Sequence, residues 1–596
     1  MKKIIKYLFL LTGGSFILAS CNDFLDREPL DSVTPDNFFF TENDLAAYAV
    51  KHYNFTTHEG FNAGIWKNDN ATDNQAATDY DKKWIPGQWK VPEAYDNPAS
   101  NDPWYFSTIR EANYFLETVV PRFEKGEIEG SETNIKHYIG EMYFLRAKNY
   151  LSKLETFGDF PIIKNTLPDE SESLIQASKR APRYKVAHFI LEDLDQAISL
   201  LTNNISGGKN RITKNAALLL KSRAALFEAS WLTYHKGTAL VPGGPGWPGK
   251  AEDIADFNID TEIAFFLKEA KAAAKEVIGN AALVQNTAKD CMDETVKTDE
   301  DKYKMSNPYF AQFSANSLEG YSEILMWRAY NLLDYKIVHS APFYIRVGGN
   351  TGFTRQYIES FLCRDGKPIY ATDQYKGDES LLNVRKNRDL RLQLFLMTPG
   401  ETLSPNVMNG TPDLLPEVPQ LLDITEKRCV TGYQVRKGLS GNWYRDGNTA
   451  IEGCPVYRAA EAYLNYIEAD CMEHNGTSIG SEAAGYWGDL RERAGLPRDY
   501  TVTVNNTDLS KELDWAIYSA GKLVSPLLYN IRRERRCELL AEGLRMLDLK
   551  RWRALDQVKQ FVIQGVNLWE SDLKDKYMQD GKNLLIQEGT EGQTSN

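Results

Sequence analysis

The chain has 596 residues, 25% charged and 42% apolar, with 41 glycines and 24 prolines. Such a composition excludes collagen and wholesale disorder. Lys and Arg total 69 against 82 Asp and Glu, a net charge of −13. With no long basic run, the chain is a poor match to nucleic acid or to an anionic membrane surface. It is long enough to bury a large core without disulfides or a structural metal.

The N-terminus sets the compartment. Lys2, Lys3 and Lys6 precede an apolar stretch at residues 7–18. A bilayer-spanning helix needs roughly 20 apolar residues, so this stretch fits a signal-peptide core instead. Leu18-Ala19-Ser20-Cys21 follows. Small residues before a cysteine form a lipobox, so cleavage is expected before Cys21, with diacylglycerol on its thiol and an amide-linked acyl chain on its amine. The rival is an ordinary secretory signal that happens to precede a cysteine. Several acyl chains anchor a protein stably, and no later apolar run reaches 18 residues. The mature chain is therefore expected to sit on a membrane without crossing it. The six other cysteines, Cys291, Cys363, Cys429, Cys454, Cys471 and Cys537, form no CxxC, which removes zinc and thioredoxin readings. Spacing does not say whether any of them pair. Cys471 and Cys537 fall in helical patterns and read as buried small hydrophobes.

Residues 22–40 are a polar, acidic tether. Thr41-Glu42-Asn43-Asp44 is a weak capping box ahead of Leu45, Tyr48, Ala49, His52 and Phe55 at helical spacing. His52 reads as a packed side chain. Helical periodicity recurs over 109–119, 134–157, 184–202, 213–232 and 262–278, and again over 456–473, 482–494 and 526–556. Short polar connections between helical pairs predict stacked αα-hairpins. No strict 34-residue consensus repeats, so tetratricopeptide character is degenerate. Between 280 and 455 the periodicity fades, and runs such as 323–330 read as isolated strands in loop-rich structure. Residues 580–596 read as a polar frayed tail.

Most catalytic motifs are absent. There is no HExxH, GxSxG or GxxxxGK[ST]. Gly244-Pro245-Gly246-Trp247-Pro248-Gly249 matches GxGxxG literally, but its prolines make it a turn-rich loop. No two histidines stand four apart on a helix. Asp69, Asp73, Asp79 and Asp81 cluster without EF-hand spacing and read as solvated loop acids, with loop-bound calcium the minor alternative. No cofactor is expected. The 82 acids leave a glycoside hydrolase open, because carboxylate separation is not legible in sequence.

Residues 61–114 hold four of the 12 tryptophans, Trp66, Trp84, Trp89 and Trp104, among many Asn, Asp and Lys. Aromatic faces beside fixed polar groups suit sugars. Trp104, next to a helix start, reads as a packing residue. Trp84 and Trp89, with Asp73, Asn74 and Lys83, are expected to line an exposed ligand surface. Trp327, Tyr330 and Arg346 are candidates for a second wall, although Trp327 in an apolar run also reads as a buried strand residue.

Several segments together carry a family resemblance. They are Cys21-Asn22-Asp23-Phe24-Leu25-Asp26, Gly140-Glu141-Met142-Tyr143-Phe144-Leu145-Arg146-Ala147 and Phe157-Gly158-Asp159-Phe160-Pro161. They continue with Asn210-Arg211-Ile212-Thr213-Lys214, Asp365-Gly366-Lys367-Pro368-Ile369 and Tyr457-Arg458-Ala459-Ala460-Glu461-Ala462-Tyr463-Leu464. The last are Arg491-Glu492-Arg493-Ala494-Gly495-Leu496-Pro497, Glu534-Arg535-Arg536-Cys537-Glu538-Leu539 and Asp548-Leu549-Lys550-Arg551-Trp552. In this order the chain resembles the SusD/RagB-like nutrient-binding outer-membrane lipoproteins over nearly its whole mature length. The residues themselves have a structural reading. Arg146, on an apolar helix face, requires a buried acid or carbonyl. Glu534, Arg535, Arg536, Glu538 and Glu542 read as a charge ladder on one helix. Gly158 fits a helix stop.

The resemblance implies a mainly α-helical fold, with tetratricopeptide-like hairpins supporting an irregular C-terminal half. The expected division is a signal peptide at 1–20, an N-terminal part at 21–280 and a C-terminal part at 281–596, the last two packed as one unit. It further implies a non-enzymatic lid on a TonB-dependent, SusC-like transporter at the cell surface, one that binds an oligo- or polysaccharide. A peptide-binding lid and a surface glycoside hydrolase are the alternatives. The chain is longer than a compact member, and the Pro/Gly loop at 236–260 is a candidate insertion.

Overall fold

The computed structural model describes residues 38–79, 81, 84, 104–287, 307–334, 336–398, 402–404, 413–414, 419–440, 448–558, 561–569 and 571–585. Cys21, Lys83, Trp89 and Cys291 lie outside them. The fold is mainly helical. Among the described residues, seven helices build the N-terminal part: α1 (Glu42–Lys51), α2 (Ser107–Glu124), α3 (Glu132–Phe157), α4 (Ser171–Ala177), α5 (Arg183–Leu200), α6 (Lys214–His235) and α7 (Ile259–Asn280). Each long helix packs on its neighbour in the chain, α2 on α3, α3 on α5, α5 on α6 and α6 on α7. The result is a stack of tetratricopeptide-like hairpins.

Local signals explain where these helices start and stop. Thr41 accepts from the Asp44 amide at 3.3 Å while Asp44 accepts from the Thr41 amide at 3.0 Å, closing the expected capping box. The α3 helix is nearly all interior, from Ile135 to Leu154, and stops at Gly158 with φ +76°. Arg146 finds its acid on α5, donating to Asp193 at 2.8 and 2.7 Å.

The C-terminal part adds α8 (Ala460–Glu473), α9 (Ser481–Arg493), α10 (Pro526–Glu538) and α11 (Arg545–Arg551). Helix α8 packs on α7, so the first core continues from Phe39 to Ala483. A second core joins Trp66 to Phe313, Phe353, Tyr357, Phe395 and Tyr433. Short antiparallel pairs stitch distant segments. β1 (Gln75–Ala77) pairs with β3 (Thr351–Phe353), and β2 (Ile324–Arg328) pairs with β4 (Cys454–Arg458).

Three sequence expectations are corrected. The run at 323–330 is not isolated, because β2 has a partner about 130 residues later. The helix expected over 456–473 begins only after β4 ends. The single helix expected over 526–556 is α10 and α11, broken where Ala541 and Gly543 take left-handed φ of +60° and +79°. Glu534, Arg535, Arg536 and Glu538 do share α10, but they do not pair along it. They reach across the fold: Glu534 to Arg391, Arg535 to Asp548, Arg536 to Asn74, and Glu538 to Arg391, Arg458 and Arg493. Three guanidiniums hold the Glu538 carboxylate far below its usual range against the opposing cost of burial.

The five described cysteines are buried and free of disulfides. No helix among the described residues is long and apolar enough to cross a membrane.

Candidate functional site

The two segments expected to form a ligand surface do come together. Antiparallel pairing of Gln75 with Phe353 and Ala77 with Thr351 places the loop that leads to Trp84 beside the middle of the chain. The Tyr330 hydroxyl donates to the His58 carbonyl at 2.8 Å, tying the following hairpin to the same region.

Within that region several named residues face inward. Asp73 is 1% exposed and is gripped by Arg545 at 2.8 and 2.7 Å. Asn74 is buried and accepts from Arg536 at 2.7 Å. Trp327 lies on β2 against Leu318 and Ile324, with its indole N–H on Glu319 at 3.1 Å. Tyr330 is buried against His58 and His339. These four do not line an exposed wall, and the expectation is corrected. Asp73, Asn74 and Tyr330 each have a polar partner far away in sequence that draws them inside, while Trp327 is drawn in by its own strand's apolar cluster. Asp69 is likewise buried, beside Asn74 at 3.2 Å, while Asp79 is exposed, so the four loop acids are not one solvated cluster. No group of three His, Cys, Asp or Glu arranged to hold a metal ion occurs among the described residues.

Trp84 is different. It is half-buried, its indole N–H donates to the Ala71 carbonyl at 3.2 Å, and its ring meets Trp515 and Phe561 edge-on at 4.9 and 5.8 Å. Trp515 is also half-buried, so two indoles share one partly open aromatic ledge. Arg346, near the end of the short helix Ala341–Val347, is half-buried as well. Trp104 packs on Phe157 and Phe160, as a packing residue should. Trp66 is core.

Sequence reasoning missed Trp515 and Phe561, which sit far along the chain in unremarkable contexts. It also missed an exposed apolar tip. Leu333 is 88% and Phe61 67% exposed. Leu333 caps a hairpin closed by two backbone hydrogen bonds of 2.9 Å between Asn331 and Ile337. A Leu pair between Asn331 and Asp334 was the available signal, because apolar residues in a polar turn have no core to enter.

Comparison with known proteins decides the family. The model described as the SusD family matches residues 297–594, half of the chain. The chain belongs to the SusD family. A second SusD-like model, described as starch-binding associating with outer membrane, matches residues 23–226. SusD-like protein P2 of Formosa agariphila is 25% identical over 91% of this chain and 89% of its own. Two solved structures from Bacteroides fragilis share the fold. A SusD-like protein is 22% identical, covering 89% of each chain at a TM-score of 0.57. A SusD-like carbohydrate binding protein is 18% identical, covering 90% of this chain and 91% of its own at 0.58. The SusD motifs of this chain, read against its geometry, are scaffold. Arg146, Arg458, Arg493, Glu534 and Glu538 all sit in buried ion pairs.

Proposed function

We propose that this chain is a lipid-anchored outer-membrane binding protein that captures a glycan at the ledge around Trp84 and passes it to a TonB-dependent transporter. The observation that carries the reading is the pair of half-buried indoles, Trp84 and Trp515, whose rings meet edge-on at 4.9 Å. Indole faces supply contact area to sugar C–H groups at small entropic cost. SusD membership and a fold shared with a SusD-like carbohydrate binding protein support the same class. Outer-membrane association is supported by the description of the N-terminal family match, and the anchor by Cys21 in its lipobox.

A binding role also suits four of the buried acids, although burial pushes Asp69 up to about 6 and Glu155 up to about 7. Glu538, Glu542, Asp514 and Asp548 are each held below the usual carboxylate range by cationic neighbours, overcoming burial. Such carboxylates are poor general acids, which need a raised value. The test is a glycan panel run by affinity electrophoresis and calorimetry. Retardation by at least one glycan, with no new reducing ends on prolonged incubation, is the expected result. Turnover that survives purification and is lost on one Asp or Glu substitution would make the protein a hydrolase. Affinity purification from the native membrane should bring down a barrel transporter. Cys21→Ala should abolish labelling by a fatty-acid analogue.

A further inference from the structure

A cavity that includes neither Trp84 nor Trp515 in its lining opens at the seam of the two cores. It measures ≈220 Å³ and opens between Phe55, Lys148, Arg223, Tyr457 and the exposed rim residues Thr56 and Asn68. Phe55 and Tyr457 meet edge-on at 6.1 Å and form its apolar wall.

Nearly all charge in this wall is already matched. Glu461 chelates Arg223 at 2.7 and 2.6 Å. Arg458 donates to Glu542 at 2.8 and 3.0 Å, and Glu542 also takes Lys437 at 2.7 Å. Lys148 is the exception. Its ammonium donates once, to the Asn54 carbonyl at 2.7 Å, and lies 5.1 Å from the Phe55 ring centre. Among the described residues it has no carboxylate within ion-pair distance. Glu155, two turns further along the same face of α3, acts on it only through space. Lys148 is half-buried, and its other two protons have no protein acceptor among the described residues. Tyr457 is only 5% exposed, and among the described residues its hydroxyl makes no protein hydrogen bond yet keeps solvent access at the cavity. An ammonium without an ion pair and an open phenol hydroxyl thus line one cavity of small-molecule size.

We infer that the seam cavity binds a sugar acid, with the ligand carboxylate on the Lys148 ammonium and a ligand hydroxyl on Tyr457. The carboxylate supplies the missing counter-charge, and a charge-assisted hydrogen bond is about twice as strong as a neutral one. The hydroxyl satisfies the phenol, and the pyranose C–H groups lie against Phe55 and Tyr457. Two sources carry this chemistry, a free monosaccharide acid and the terminal uronate of a longer chain. The inference does not rest on the ledge at Trp84.

The test is calorimetry on the full mature chain with sodium glucuronate, its methyl ester, glucose and a diuronide. Glucuronate should bind, with the ester and glucose about tenfold weaker or worse, since both lack the carboxylate charge. Diuronide binding at similar strength assigns the terminal-uronate source, and its absence assigns the free acid. Lys148→Met should lose at least about tenfold for glucuronate while matching the wild type for the ester. Tyr457→Phe should weaken glucuronate about fivefold without creating a cavity. Thr56→Trp, at the exposed rim, should block the cavity without touching Lys148, and so decides the matter if Lys148→Met misfolds. No glucuronate binding by the wild type, or undiminished binding by Lys148→Met or Thr56→Trp, overturns the inference. Loss of glycan binding at the ledge leaves these outcomes unchanged.

Discussion

Asp73 and Arg545, 472 residues apart in sequence, form a two-pronged buried ion pair of 2.8 and 2.7 Å. Arg545 also donates to Asp514 at 2.5 Å, and Arg536 reaches Asp73 at 3.2 Å and Asp514 at 3.0 Å. Two carboxylates and two guanidiniums thus close one knot between the N-terminal loop, the turn before α10 and the start of α11. Charges removed from water in this way are stable only as a complete set.

Removing one member should therefore be severe. Asp73→Ala is expected to destabilise the protein by about 3–5 kcal/mol, because it leaves excess buried positive charge. Urea unfolding followed by tryptophan fluorescence measures it. A variant of wild-type stability with weakened glycan binding would instead place Asp73 at the ligand.

Gly438 offers a steric test. It has φ +82°, and a Cβ there would stand 2.0 Å from the Trp66 indole nitrogen, which lies under Lys437. Gly438→Ala has both a strained backbone and an immovable neighbour, since Trp66 is fully buried. A loss of about 2–4 kcal/mol is expected, read as a lowered unfolding midpoint. An unchanged midpoint would mean that Trp66 has room to move.

Glu155 gives a pH dependence. Burial pushes its carboxyl up from 4.5 to about 7, against the opposing pull of Arg223, Lys550 and Lys148. The folded state then holds this proton more tightly than the unfolded chain. Its contribution to stability is favourable in acid and is lost as pH rises from about 4.5 through about 7. Glu155→Gln should be near neutral at pH 4 and stabilising by about 1–3 kcal/mol at pH 8. Parallel unfolding curves at the two pH values decide it, and an equal difference at both would show that Glu155 titrates normally.

Trp84 and Trp89 should separate in stability but not in binding. Trp84 touches Trp515 and Phe561, so Trp84→Ala should cost about 1–2 kcal/mol as well as most glycan affinity. Trp89→Ala should reduce affinity about tenfold, since a stacking ring supplies on the order of 1.4 kcal/mol. Trp515→Ala should weaken the same ligand. Full binding by the Trp84→Ala, Trp89→Ala double variant would move the site elsewhere.

The sequence by itself determined the parts of this protein that depend on neighbouring residues. Helical periodicity placed α3, α5, α6, α7 and α9, since a 3.6-residue stripe needs only its own face to be read. The Thr41 capping box and the Gly158 stop are equally local. The burial of Arg146 followed from its apolar neighbours, though not the identity of Asp193. Tertiary structure decided whatever depends on a distant partner. Asp73 in a polar loop reads as a surface acid until Arg545 and Arg536 arrive from the far end of the chain. Tyr330 reads as a ligand wall until the His58 carbonyl accepts a hydrogen bond from its hydroxyl. Trp84 gains its ledge from Trp515 and Phe561, and Lys148 its cavity from Tyr457. A side chain's exposure is set by the summed geometry of every element packed over it, and local pattern carries no information about elements hundreds of residues away.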